Sequence, residues 1–321
     1  MIPSVTFIFN PLAGPADYSD AIEQVAVTWQ NRGWETCVRP THHAGHAVDI
    51  AAQEAKQGRT LVMACGGDGT LGEVANGLAG SDTIMAPLPT GTGNSLAKEW
   101  HMPRPTVFNS HSLIQASDSL AKGLVQRMDL GYSSNGRHFL QWVGVGMDSY
   151  LVEQIEPRPK AMKRLGALGY MGQALITVPK FAGMVARVEV DGVVHSGPFL
   201  MVTVTNCRLY AGGEVLLNPD AVMDDGEFEV WLVHGKGLTR ALQALSQIKL
   251  GRHQHSAEML MARGKQVRVE TEPVMPYHTD GDPGGMTPFS CEIRAGALRV
   301  LVPGTAPRGL FSKAGHGLPA R

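Results

Sequence analysis

The sequence is short of cysteine, of net charge and of long apolar runs, and each shortage excludes something. Only four of its 321 residues are cysteines. Cys37, Cys65, Cys207 and Cys291 are scattered, with no Cys-x-x-Cys pair and no histidine at matching spacing. Disulfide frameworks and zinc sites need closer or repeated spacing, so reduced, buried thiols are expected. No stretch approaches the roughly 18 apolar residues of a membrane-spanning helix. The first ten residues have no basic n-region, and Pro11 cuts their apolar run, which reads as a strand rather than a signal peptide. A cytoplasmic protein is expected, and this composition stays compatible with peripheral membrane contact. Lys and Arg number 28 against 29 Asp and Glu, a formal net charge of −1. A nucleic-acid-binding domain would show a basic excess or stripe, so nucleic acid is not an expected partner.

What is present describes a folded chain. Hydrophobic residues make up 43% and charged ones 18%, with 38 glycines, a globular and loop-rich composition rather than a disordered one. The length suits roughly two domains and buries roughly 70–75% of the unfolded surface. The first third alternates strand and helix signals. Val5–Phe9 is a β-rich run ending at the turn cluster Asn10–Gly14, and a helix is predicted from about Asp20 to Asn31, with Ile22, Val25, Ala26 and Trp29 on one face. A strand over Trp34–Arg39, a loop from Thr41 and a helix from about His46 to Gln57 follow. Leu61–Cys65 is continuously apolar, as in a strand covered on both faces of a parallel sheet. This spacing implies a doubly wound α/β domain.

From about residue 130 the pattern becomes β-rich. Asn135-Gly136 and Asp191-Gly192 each sit between strand-like runs, a strong hairpin signal. Further strands are predicted at 199–205, 228–233, 266–270 and 298–302. One helix interrupts them, with Leu238, Ala241, Leu242, Leu245 and Ile248 at helical spacing. The expected architecture is two domains, an N-terminal doubly wound α/β nucleotide-binding domain over 1–130 and a β-sandwich-like domain over 131–302.

Two glycine-rich turns carry the chemistry. Gly66-Gly67-Asp68-Gly69-Thr70-Leu71-Gly72 follows the buried strand, and Thr70 with Glu73 is predicted to form a capping box for the next helix. Consecutive glycines let backbone N–H groups approach phosphate oxygens at a helix N-terminus. Asp68 would repel a bare phosphate, which makes sense if Mg²⁺ lies between them or if it holds a hydroxyl. The alternative is a tight turn in which Asp68 satisfies local N–H groups. A second turn, Pro89-Thr90-Gly91-Thr92-Gly93-Asn94-Ser95, follows the apolar strand 84–88. In a parallel sheet both turns lie at the carboxyl edge, where α/β sheets bind ligands. Neither fits the dinucleotide fingerprint or the P-loop pattern.

These motifs resemble those of the diacylglycerol kinase catalytic-domain family, which includes bacterial lipid kinases and sphingosine kinases. Asn10-Pro11 with Gly14, both glycine turns, Gly144-Val145-Gly146-Met147-Asp148, Asn218-Pro219-Asp220-Ala221, Asp224-Asp225-Gly226 and Asp280-Gly281-Asp282 occur in the family's order. The resemblance spans nearly the whole chain, although the Gly-Gly-Asp-Gly turn alone is shared with NAD kinases and phosphofructokinases. It implies that the first domain holds ATP, that the second carries catalytic and metal residues, and that the last segment, 303–321, returns to the first domain. It implies ATP contacts at Asn10, Thr41, Gly66, Gly67, Asp68, Gly69, Thr70, Leu71, Gly72, Thr92, Gly93 and Asn94. It implies a Mg²⁺ site formed by the Asp225 carboxylate and the carbonyls of Val222 and Glu227; without the resemblance, that acidic stretch would read as a solvated hairpin. Asp282 stands at the position of the family's general base, where Glu is usual, and its side chain is shorter by about 1–1.5 Å, a scale that matters for catalysis. Ser95 stands where the family usually has Asp.

The activity so implied is transfer of the ATP γ-phosphoryl group to a hydroxyl of diacylglycerol or a related lipid, with Asp282 as base and Asp68 organising the magnesium side. A soluble-substrate kinase of the NAD kinase type and a catalytically impaired nucleotide sensor stay open beside it. His42, His43 and His46 read as a solvated loop and helix start. The stretch 158–187 holds six Lys and Arg residues without an acid, interleaved with apolar residues. It reads either as a packing helix with basic residues outward or as a helix that docks on anionic lipid. Nothing in the sequence indicates the oligomeric state.

Overall fold

The computed structural model describes residues 2–105, 111–155, 181 and 183–319. The basic stretch 158–187 falls mostly on 156–180 and 182, outside the described residues. Two compact units divide the chain: Met1–Asp129, Val222–Asp225 and Ala295–Arg321 form the first, Leu130–Ala221 and Gly226–Arg294 the second. Among the described residues no helix is long and apolar enough to cross a membrane.

The first unit begins with alternating elements: β1 (Ser4–Phe9), α1 (Ser19–Asn31), β2 (Glu35–Pro40), α2 (His46–Lys56), β3 (Leu61–Gly66), α3 (Asp68–Leu78), β4 (Ile84–Pro89), α4 (Ser95–Glu99) and α5 (His111–Ala121). The strands lie in the order β4-β3-β1-β2, every pair parallel. Helices on the sheet leave β3 and β4 buried throughout. Helix α1 buries Ile22, Val25, Ala26 and Trp29, the stripe its periodicity predicts. Among the described residues strand β2 pairs only with β1 and alternates in burial, so Cys37 is exposed. That corrects the expectation of four buried thiols: an edge strand turns one face outward. Burial holds for Cys65, Cys207 and Cys291, and it pushes the Cys65 and Cys291 thiols up, keeping them protonated. Glu54 of α2 is 2% exposed, accepts from the Thr6 hydroxyl at 2.8 Å and pairs with Arg39 at 3.0 Å and Arg59 at 2.6 Å. Burial raises its pKa, but these partners outweigh burial and hold the carboxyl below its ordinary 4.5.

β5 (Leu124–Ser133) leads into the second unit, with β6 (His138–Phe139), β7 (Trp142–Gly146), α6 (Met147–Ile155), β8 (Met184–Val190), β9 (Val193–Thr205), β10 (Leu209–Tyr210), β11 (Val215–Leu216), β12 (Phe228–His234), α7 (Gly237–Lys249), β13 (Met259–Gly264), β14 (Gln266–Glu272), β15 (Pro276–Thr279) and β16 (Asp282–Met286). Its pairings are antiparallel. The Asp191-Gly192 turn, with φ of 46° and 85°, closes the β8–β9 hairpin as predicted. The Asn135-Gly136 turn does pair β5 with β6, but β6 stops after two residues. The Asp280 carboxylate takes the amides of Leu140, Gln141 and Trp142 at 2.7–3.1 Å, and the chain resumes as β7, paired with β9 and β15. The long β9 carries β8 on its first half; on its second half it pairs with β7 and β12. Helix α7 packs with Arg240, Ala241, Ala244 and Ile248, and leaves Leu242 and Leu245 exposed.

β17 (Phe289–Val302) pairs antiparallel with β14 in the second unit and then parallel with β4 in the first. β18 (His316–Gly317) pairs with the start of β5. The doubly wound α/β class with a β-sandwich-like second part is therefore the observed architecture.

Candidate functional site

The parallel register brings the ends of β1, β2 and β3 side by side. The Asn10 amide donates to the Cys65 carbonyl at 3.0 Å and the Thr41 amide to the Phe9 carbonyl at 2.7 Å. The Asn10 side chain donates to the Thr70 hydroxyl at 3.3 Å. Main-chain amides of Thr90 and Gly91 donate to the Gly66 carbonyl at 3.1 and 3.2 Å, which seats the second glycine turn on the first. A Cβ at Gly91 would lie 2.3 Å from the Gly67 Cα, so the two turns touch backbone to backbone. Asn94, in the left-handed region at φ 52°, closes its own turn with bonds to Gly91 N at 3.0 Å and Gly91 O at 2.6 Å. Thus Asn10, Thr41, Gly66–Gly72, Thr92, Gly93 and Asn94 all lie at one sheet edge, above the start of α3.

Asp68 joins the two turns: its Oδ1 accepts from the Ser95 amide at 2.7 Å, and a Cβ at Gly93 would meet its Oδ2 at 2.5 Å. The 95th position therefore serves through its main chain, which explains how Ser can stand there. The predicted capping box does not form. Helix α3 starts at Asp68 with Gly67 as its N-cap, and the Glu73 carboxylate instead accepts the Gly45 and Ala47 amides at 2.9 and 3.1 Å, at the start of α2. Starting three residues early puts Thr70 inside the first turn, where it has no cap to make. His42, His43 and His46 stack on one another at this end of α2, with ring centroids 5.3 and 4.8 Å apart.

Val222 and Asp225 belong to the first unit, Glu227 to the second. The adjacent acids divide their roles. Asp224 is buried, its carboxylate accepting the Ser312 and Lys313 amides at 2.6 and 3.1 Å, while Met223 exchanges main-chain bonds with Asp129 and Leu310 at 2.8 Å. Asp225 is exposed, and the Glu227 side chain pairs with Arg263 at 3.5 Å. Among the described residues no group of three or more His, Cys, Asp or Glu side chains could hold a metal ion. A single carboxylate with main-chain carbonyls is a hard-oxygen donor set, a type that suits Mg²⁺.

In the second unit, Asp282 opens β16 with its side chain 48% exposed and 3.8 Å from the Arg137 guanidinium. Its turn is held from two sides. Asp280, at φ 51°, spends its carboxylate on the three amides noted above. His278 Nδ1 accepts the Gly281 amide at 3.3 Å, which leaves Nε2–H to donate to Asp148 Oδ2 at 3.1 Å. Tyr210 donates its hydroxyl to the same Asp148 oxygen. Asp148 is 8% exposed and holds this turn through His278. A Cβ at Gly144 would strike both the Asp148 carboxylate and the His278 ring, a physical reason for the glycine in Gly-x-Gly-x-Asp. Sequence reasoning quoted Asp148 within a motif but missed its partners, His278 and Tyr210, which lie 130 and 62 positions away. Beside the turn, Val152, Pro276, Tyr277, His278, Pro283 and Met286 help line a cavity of about 150 Å³. Asn218 is structural: its amide donates to Thr205 and Cys207, and its oxygen accepts from the Trp231 indole.

Two glycine turns at the carboxyl edge of a parallel sheet, followed along the chain by a β-sandwich-like unit, are the architecture of a nucleotide-dependent kinase. A family model of the diacylglycerol kinase catalytic domain matches residues 4–133, and a model of the YegS C-terminal NAD kinase beta sandwich-like domain matches residues 141–302. The second model spans half of the chain, which therefore belongs to the family of that YegS C-terminal domain, with a match to the diacylglycerol kinase catalytic domain preceding it. The chain is 29% identical over 285 residues to a diacylglycerol kinase of Bacillus subtilis (strain 168), covering 88% of this chain and 90% of that one. A diacylglycerol kinase of Staphylococcus carnosus (strain TM300) is 26% identical over 88% of this chain and 89% of its own. Two solved structures from Bacillus anthracis str. Sterne share the fold. A candidate diacylglycerol kinase gives a TM-score of 0.77 at 24% identity (95% of this chain, 97% of that one). A diacylglycerol kinase gives 0.68 at 20% (95% and 99%).

Proposed function

We propose that this enzyme transfers the γ-phosphoryl group of ATP, with Mg²⁺, to a hydroxyl of diacylglycerol or a closely related lipid. The observation that carries the reading is the interlocked pair of glycine turns at the sheet's carboxyl edge. Amides of Gly66–Gly72 at the start of α3, with Asn10, Thr41, Thr92, Gly93 and Asn94, would receive the nucleotide phosphates. Asp225 with the Val222 and Glu227 carbonyls would hold Mg²⁺, which supplies charge neutralisation on the phosphate oxygens when bound. Asp68 orders the second turn through the Ser95 amide.

Asp282 would remove the proton of the attacking hydroxyl, as a positioned carboxylate can. It is one methylene shorter than the family's Glu, and its turn is braced accordingly, by Asp280 on three amides and by the His278–Asp148 pair. The adjoining cavity, apolar at Val152, Pro276, Pro283 and Met286 and polar at Ser149, Glu153 and His278, suits a hydroxyl carried on a hydrocarbon chain. The NAD-kinase-like label of the second unit favours one competing reading, a soluble nucleotide substrate. Labelled ATP offered with mixed micelles of diacylglycerol, sphingosine and phosphatidylglycerol, and separately with NAD, decides between them. Labelled diacylglycerol is the expected product; labelled NAD, or no product with full nucleotide binding, overturns the proposal.

A further inference from the structure

Helix α7 shows its leucines to solvent. Its packed face is small, Ala241 and Ala244 with Ile248, and it is pinned by Arg240, which donates to the His234 and Glu258 carbonyls at 2.8 and 3.2 Å and pairs with the Glu258 carboxylate at 2.8 Å. About a third of a turn away, Leu238, Leu242, Leu245 and Lys249 form a second stripe at helical spacing. Leu242 is 53% exposed, Leu245 41% and Leu250, just past the helix, 64%. Single exposed leucines are ordinary, but three within about 12 Å along one axis are a patch. Its flanks are basic: Lys236, Lys249 and Arg252 are exposed, and no Asp or Glu occurs between Gly235 and Ala257.

We infer that α7 is a docking element for an anionic lipid surface, lying in the interface plane with Leu242, Leu245 and Leu250 inserted and Lys236, Lys249 and Arg252 at the headgroups. An apolar stripe flanked by the exposed cations Lys236, Lys249 and Arg252 complements a negatively charged bilayer, whereas against the same patch of a second copy it would set cation against cation. The inference rests on the lipid-substrate reading for its purpose: among the described residues no helix is long and apolar enough to cross a membrane, and a kinase that reaches a bilayer lipid from the surface needs a docking element. It rests on α7 alone for its geometry.

Co-sedimentation of the full chain with phosphatidylglycerol-containing and pure phosphatidylcholine vesicles tests it. Wild type is expected to partition onto the anionic vesicles and to come off as salt rises. L242E/L245E should reduce that partition at least tenfold. K249E/R252E should remove the preference for anionic over neutral vesicles. Both variants should phosphorylate a dispersed short-chain diacylglycerol at the wild-type rate, which certifies their folding. Three results overturn the inference: wild type that ignores anionic vesicles, variants that bind them as wild type does, or a dimer that L242E/L245E dissociates without changing vesicle binding. Failure of the lipid-kinase reading looks different, since wild type would then phosphorylate no lipid in any form, whatever the vesicles show.

Discussion

The carboxyl edge of the first unit's sheet is held largely by main chain, and the Asp282 turn of the second is held by side chains. At the edge, strand ends and two glycine turns hold one another by amide-to-carbonyl bonds, and the close contact is Cα against Cα at Gly67 and Gly91. At the turn, two buried or bonded carboxylates do the holding: Asp280 takes amides from 138–140 residues away, and Asp148 meets His278 across 130. A main-chain site fails when a Cβ intrudes. A side-chain site fails when a charge loses its partner. The difference teaches where each unit is vulnerable, and substitutions can break or sharpen it.

The largest effect is expected from Asp282→Asn, which should lower turnover by about 10²–10⁴-fold while nucleotide titration stays at the wild-type value. Unchanged turnover would remove Asp282 from the mechanism, and Asp282→Glu, restoring the longer arm, should be at least as active as wild type. Next comes Gly91→Ala. Its methyl group would push the turns apart, and affinity for a non-hydrolysable ATP analogue should fall on the order of 10²-fold by calorimetric titration. An affinity within twofold of wild type would mean the turn contact is not needed for binding.

His278→Phe removes both bonds of the ring. We expect about a tenfold loss in kcat with KM for ATP unchanged, and about 1–3 kcal/mol lost in urea unfolding, because Asp148 stays buried with one donor fewer. His278→Gln, which keeps a donor near the Nε2 position, should recover part of the kcat. A loss of stability without a loss of kcat would make the pair merely structural.

The smallest effect is a control in the first unit. Glu54 is buried on the sheet, and its folded pKa lies below 4.5. Its stabilising contribution is therefore complete above about pH 4.5 and is lost as pH falls through the folded value. Glu54→Gln should cost about 1–2 kcal/mol at pH 7 and progressively less under acid, with turnover per folded molecule unchanged. Stability curves of variant and wild type that stay parallel down to acid pH would refute that assignment.

What could be read in advance follows the same division. The parallel unit was legible because its signals are local: β3 is apolar without a break, α1 shows its stripe at 22, 25, 26 and 29, and Asp191-Gly192 closes a hairpin between neighbours. The bracing acids were not legible: the resemblance singles out Asp225 and Asp282, but nothing in the sequence shows that Asp224 and Asp280 are held by distant amides. In each pair the first carboxylate is consumed by distant amides and the second is left outward. Glu73 misled for a similar reason: its spacing from Thr70 fits a cap on its own helix, yet it caps α2. Helix α7 was legible as a helix, but apolar spacing counts residues and cannot say which of two adjacent stripes is covered.

The sequence by itself determined the alternation of elements, the two glycine turns and the family to which the chain belongs, because these depend on patterns within a few residues. Tertiary structure alone decided which carboxylates brace and which face outward, that Cys37 and the leucines of α7 lie at the surface, and that His278 joins Asp148 to the Asp282 turn. Those outcomes depend on which groups separated by a hundred residues come within hydrogen-bond reach, and on which face of an element another element covers.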